Sequence, residues 1–326
     1  MNYYSSDYFN KLWNIALDYT AKNYDLSYLT AMHEKISTEG ANTIIVGSSH
    51  AMNGVIESLM PGGNKNNIGF SISSQALYYD FCHIKKCVEC SPRPIQNCII
   101  NIGYYMMYQD ISKGTTMNYL IPSVYVPLFG RDAVHHYDST LEYNPIENIQ
   151  FDRSQFPEQI IVPFCQFWAK EALKEQSSFY GKLLTREDNN ILGLKKISWN
   201  TLTNSEKENA AIARTSDHNR LFKHKESFIE NCSIIQEIVT YLNANKIRPI
   251  FLIMPFTKYY NAYIEPSYKK DIFSVLDALP FPVDFFDMND LDGIFTDEDF
   301  LDTDHLNLHG AEKATIILSG YLNQLS

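Results

Sequence analysis

No stretch of this chain stays apolar for the roughly 18 consecutive residues that suggest a membrane helix, so no membrane-spanning helix is expected. Basic residues are also in short supply. Lys and Arg number 27 against 38 Asp and Glu, a net charge of −11. Nucleic acid requires a basic footprint, and an anionic lipid surface repels such a chain, so neither partner is expected. The first residues, "MNYYSSDYFNKLWNIALDYT", lack the basic region followed by an apolar region that marks a signal peptide. The expectation is a cytoplasmic chain, or an exported or membrane-associated one if a leader or anchor lies outside this sequence. Internal repeats and low-complexity tracts are absent as well.

What is present is ample core material: 45% of the 326 residues are hydrophobic. In the N-terminal stretch Phe9, Leu12, Trp13, Ala16 and Leu17 recur at helical spacing, so residues 1–40 are read as a helical extension. Five apolar runs read as strands: 43–47, 66–70, 98–104, 249–255 and 282–287. Most are continuous rather than alternating, as in parallel strands buried on both faces. Helical stripes separate or follow them. One runs through Met52, Val55, Ile56 and Leu59, another from Leu77 to Val88, a long one from Phe228 to Leu242, another from Tyr268 to Leu279, and the last follows Gly310. This alternation predicts a three-layer α/β fold with a parallel sheet of about five strands, and such sheets bind ligands at the carboxyl ends of their strands. Residues 105–220 break the rhythm and are read as an inserted cap, because a structureless loop of that length is improbable. The core is then 41–104 and 221–326.

The stretch "TIIVGSSHAMNGV" ends a strand in Gly47, Ser48, Ser49 and His50 and then begins a helical pattern. A serine at such a turn exposes its hydroxyl above the sheet, beside helix N–H groups that stabilise an anion. It is also an ordinary helix cap. Near the other end, "FLDTDHLNLHG" places Asp302 three residues before His305 and ahead of the final helix. A serine hydroxyl needs a base, and an imidazole works best as one when a carboxylate fixes its tautomer.

Several clusters invite a metal reading. Cys82, Cys87, Cys90 and Cys98 crowd 17 residues but span a helix–loop–strand junction, and reduced buried thiols are the simpler account. Asp302, Asp304, His305 and His309 offer a second set. His135 and His136, beside Asp132, read as a solvated turn. No cofactor and no resident metal are expected.

The Gly-x-Ser turn after the first strand, with Asp-x-x-His near the C-terminus, resembles the SGNH/GDSL hydrolase superfamily. The "VGSSH" form is most similar to its bacterial polysaccharide-modifying branch, the DltD-like and O-acyltransferase relatives. The resemblance covers roughly 40–104 and 245–326 and implies a flavodoxin-like parallel sheet. It implies Ser49 as nucleophile, with Ser48 where the family has Asp, His305 as general base and Asp302 as its orienting acid. It implies oxyanion donors from the N–H groups of Ser49 and Gly69. In the third block the chain departs from the family. Gly103 matches, but Tyr105 stands where an oxyanion-binding Asn is usual, and losing one such donor typically costs about 2.7–4 kcal/mol. The Tyr105 or Tyr104 hydroxyl is a substitute donor, or both tyrosines are walls of the cleft. His50 and Tyr104 are candidates for substrate contact. The substrate implied is an ester or acyl donor, most simply O-acetyl on a carbohydrate, with the acyl group passed to water or to a sugar hydroxyl, and with membrane-associated biosynthetic partners. A non-catalytic binding or assembly protein that keeps the fold is the alternative.

Overall fold

The computed structural model describes residues 24–114, 117–138 and 199–325. The amphipathic stretch 9–17, Cys165 and Trp168 lie outside the described residues.

The five apolar runs become strands β1 (Thr43–Gly47), β2 (Asn67–Ser71), β3 (Asn97–Asn101), β4 (Arg248–Ile253) and β5 (Asp284–Asp287). All pairings are parallel, in the order β2-β1-β3-β4-β5. The helices are α1 (Tyr24–Glu39), α2 (Ser49–Gly54), α3 (Leu77–Cys90), α4 (Val126–Phe129), α5 (Asn204–Asn219), α6 (Lys225–Ala244), α7 (Lys258–Tyr263), α8 (Ser267–Asp277) and α9 (Leu308–Leu325). This is a three-layer, flavodoxin-like α/β architecture.

Strand alternation explains the layers. Ile44, Val46, Phe251 and Ile253 join one core with residues of α1, α3, α6 and α8. Ile45, Ile99, Ile250 and Leu252 join the other with residues of α2 and α9. Side chains of a strand alternate between faces, so continuous apolar runs are what a doubly covered sheet requires. Each such isoleucine is nearly fully buried and contributes about 1.5–3 kcal/mol. The handedness rule places the helices. The path from β1 to β2 runs opposite to the later steps, so right-handed crossovers send α2 to one face and α3, α6 and α8 to the other. The chain reverses direction between β1 and β3, which is where such sheets bind ligands.

One expectation needs correction. The stripe Met52–Leu59 is not one helix: α2 stops at Gly54, and Glu57–Leu59 form a separate 3-10 turn. Gly54 is pressed against Met254, whose Cε would lie 2.3 Å from any added Cβ. The described part of 105–220 shares apolar packing with the sheet. Met106, Tyr108, Ile121 and Tyr125 are buried in the same core as β1 and β3, and α5 packs on α7. Leu29 and Ile36 of α1 are likewise fully buried in that core. Residues 139–198 of the expected cap lie outside the described residues.

Candidate active site

Ser49 opens α2 directly after β1. Two residues before it, Gly47 has φ +148°, and a Cβ there would meet Asn101 Cβ at 2.8 Å and the Asn101 carbonyl oxygen at 2.9 Å. Only glycine lets β1 turn this close to the end of β3. The Ser49 N–H stands in the first helical turn, where helix geometry provides no partner for it.

The Asp302–His305 loop reaches Ser49 through three anchors. Phe300 and Leu306 bridge across its base. The Thr303 carbonyl accepts from Thr257 N and Oγ1, at 3.2 and 2.8 Å, just beyond β4. Gly310 packs so tightly under Asp299 that an added Cβ would lie 2.1 Å from its carbonyl oxygen. The helix that follows, α9, shares a face of the sheet with α2, and the Ile56 N–H donates to Thr315 Oγ1 at 3.0 Å.

The result is a contiguous Ser-His-Asp chain. Ser49 Oγ lies 2.8 Å from His305 Nε2. His305 Nδ1 lies 3.0 and 3.1 Å from the two Asp302 oxygens, and the His305 backbone N–H donates to Asp302 Oδ1 at 2.9 Å. Beside it runs a second, buried chain. His50 Nε2 lies 3.3 Å from Asp304 Oδ2, Arg214 donates to both Asp304 oxygens at 2.9–3.0 Å, and Thr303 Oγ1 donates to Oδ1 at 2.9 Å. The His50 and His305 rings stack with centroids 5.0 Å apart.

The electrostatics follow from this crowding. Burial favours neutral His305, but the Asp302 and Asp304 carboxylates outweigh it and raise its pKa to about 9. Burial pushes the Asp304 carboxyl up, yet His305, the His50 hydrogen bond and Arg214 hold it well below the usual range. Asp302 is lowered in the same way, with His305 outweighing burial. His50 is lowered, chiefly by burial.

A cavity of about 230 Å³ is lined by Ser49 together with Ser74, Tyr105, Tyr108, Arg214 and His218. The expected residues divide accordingly. Ser49, His305 and Asp302 come together, and Tyr105 lines the cavity with its ring stacked on His218 at 3.7 Å. Tyr104 does not line it. Its hydroxyl donates to Asp287 at the end of β5, at 2.7 Å. His50 is only 2% exposed and cannot touch substrate directly; it backs His305. Gly69 sits inside β2, level with Ile45, its carbonyl taken by the Tyr28 hydroxyl at 3.0 Å. It borders a different cavity, about 210 Å³, beside α1. The residue after β2 that does border Ser49 is Ser74, with φ +62°.

Arg214 and Asp304 are the residues that sequence reading missed. Asp304 was weighed only as a metal ligand. Arg214 sits on α5, whose inward face is Lys207, Ala211, Thr215 and His218. That helix starts on a Thr203–Glu206 capping box, a legible signal, but its buried stripe is mostly polar and gives no hydropathy pattern. His309 stands apart from the site, 2.9 Å from Asp299. Cys82, Cys87, Cys90 and Cys98 are free thiols, and burial pushes Cys82 up to about 11.

No protein-family model matches this chain, and no curated protein matches it significantly. Among the described residues, no helix is long and apolar enough to cross a membrane.

Proposed function

We propose that this chain is a serine-dependent acyl-transfer or ester-hydrolysing enzyme of the SGNH/GDSL kind, acting on an acyl ester of a carbohydrate. The observation that carries this reading is the unbroken chain from Ser49 Oγ through His305 to Asp302, opening on a cavity. Ser49 attacks the acyl carbon while His305 Nε2 takes its proton. The tetrahedral oxyanion is received by the Ser49 N–H and a second donor at the Ser74 or Tyr105 side of the cavity. Collapse expels the alcohol, which takes its proton from His305, and leaves an acyl-Ser49 ester. Water or a sugar hydroxyl then attacks that ester by the reverse proton path.

The raised His305 sets a condition on this scheme. An imidazole with pKa near 9 is charged at neutral pH, so only about one molecule in a hundred holds the free base at pH 7. The reading therefore requires either an alkaline optimum or a substrate whose binding lowers that pKa. A fluorophosphonate probe tests the core claim. Wild type should be labelled on Ser49, as read by peptide mass spectrometry, and Ser49→Ala should not; an unlabelled wild type with an ordered fold would refute it. Mass analysis of a trapped acyl-serine then identifies the donor. The polysaccharide class and membrane-associated partners rest on the sequence resemblance alone.

A further inference from the structure

Away from the serine, four metal-ligating side chains from three separate segments converge. Asp110 precedes a 3-10 turn after β3, His135 and His136 end another, and Glu230 projects from α6. The donor atoms, one from each residue, all lie within 4.8 Å of one another. His136 Nε2 is 2.5 Å from Glu230 Oε1, and His135 Nε2 is 3.4 Å from the same oxygen and 3.9 Å from Asp110 Oδ2.

Two further observations point to a ligand. The Asp110 side chain is only 6% exposed, and Oδ2, the oxygen facing the histidines, has no close hydrogen bond and only the ammonium of the part-exposed Lys113 near it, at 3.3 Å. A buried carboxylate oxygen whose near partner is a part-exposed ammonium can exchange it for a bound cation. His135 has φ +52° and ψ −115°, a backbone conformation that a side-chain-bearing residue rarely adopts. Its ring is clamped on Tyr78, centroids 4.0 Å apart. The strain holds two adjacent imidazoles toward the same point, an arrangement a simple ion-pair cluster does not need.

We propose that Asp110, His135, His136 and Glu230 form a binding site for a divalent transition metal, with Zn²⁺ the best fit. Two imidazoles and two carboxylates match the donors Zn²⁺ prefers, and their charges neutralise it. Bonds of about 2.0–2.2 Å require the donors to close to about 3.3 Å from one another, a movement within side-chain reach. Lys113 is the competitor. Its ammonium lies 3.3 Å from Asp110 Oδ2 and 3.2 Å from Glu230 Oε2, and at 38% side-chain exposure it is free to withdraw into solvent. Asp110 and Lys113 also border the Ser49 cavity, so a bound ion would stand at its wall.

The test is calorimetric titration of the chelator-stripped full chain with ZnCl₂, paired with visible absorption of the Co²⁺ form. Wild type should bind one equivalent at this site. Glu230→Gln and His136→Ala, whose side chains are partly exposed, should each weaken it at least tenfold while keeping wild-type circular dichroism. Lys113→Met should bind at least as tightly as wild type. The Co²⁺ spectrum should lack a thiolate charge-transfer band, which excludes the cysteines as ligands. Ser49→Ala should bind zinc like wild type, so the site stands or falls independently of the serine chemistry. No binding by wild type, unchanged affinity in Glu230→Gln and His136→Ala, a weaker Lys113→Met, a thiolate band, or a loss in Ser49→Ala would each overturn the assignment.

Discussion

At the scale of single residues, the site is governed by two carboxylates competing for one imidazole. Asp302 bonds to His305 through both oxygens, while Asp304 Oδ1 stays 3.7 Å from Nδ1. Asp304 is pinned by Arg214, Thr303 and His50 and cannot swing over to replace Asp302. Asp302→Asn should therefore lower turnover by roughly 10³–10⁴-fold, by leaving the imidazole in the wrong tautomer. It should also move the pH-rate limb to lower pH. In wild type that limb should rise as pH increases toward about 9, because the neutral imidazole is the active form and its pKa is raised. A rate that is flat from pH 6 to 9, with chemistry limiting, would count against His305 as base. Arg214→Met strips the guanidinium from a carboxylate that is 1% exposed. Breaking a fully buried pair costs about 3–5 kcal/mol, and Arg214 is over a third exposed, so a loss of about 2–3 kcal/mol of unfolding free energy is expected, read from urea titration.

At the scale of elements, what matters is how β1 hands over to α2. Gly47 turns the strand beside Asn101 with no room for a side chain. Gly47→Ala should destabilise the fold by about 1–3 kcal/mol, through its disallowed φ and the clash with β3. It should also displace Ser49 and reduce probe labelling more than global stability would explain. Wild-type labelling and stability in that variant would show that the turn tolerates a Cβ. Helix α5 carries the opposite lesson. Its inward face is polar and held by ion pairs such as Lys207 to Asp297 at 2.7 Å, so it serves the site through charge rather than apolar burial.

At the scale of the whole molecule, stability is tied to pH from both sides. His33, His50, His83 and His218 are buried with lowered pKa values, so below about 6.5 the unfolded chain binds protons that the folded chain refuses. Two carboxyls, Asp25 raised to about 6 and Asp80 raised to about 7, act in the opposite sense but are fewer. Stability should therefore fall as pH drops below 6.5. On the alkaline side His305 is raised, so its contribution is complete below 6.5 and is lost as pH climbs through about 9. Urea midpoints measured from pH 5 to 9 should peak between about 6.5 and 7.5. A midpoint that still rises from pH 7 to 9 would contradict the raised imidazole.

The strands were legible because parallel strands buried on both faces leave an uninterrupted apolar run, and the bounds of β1 to β5 fall within three residues of where those runs predict. The meeting of Ser49, His305 and Asp302 was legible because a serine at a strand–helix turn and an Asp-x-x-His loop before the last helix are local patterns. Gly69 and Tyr104 stand away from the Ser49 cavity. The strand runs one residue further than its apolar run, to Ser71, which leaves Gly69 at the middle of β2, and the direction of a tyrosine depends on a neighbour 183 positions away. The Arg214–Asp304 pair was invisible for the same reason. Local sequence determines which segments are strands, helices and reactive turns, because those depend on near neighbours. Which charges meet, and so what pKa each reactive group has, was decided only when the sheet reversed direction and brought α2, α5 and the loop before α9 to one edge.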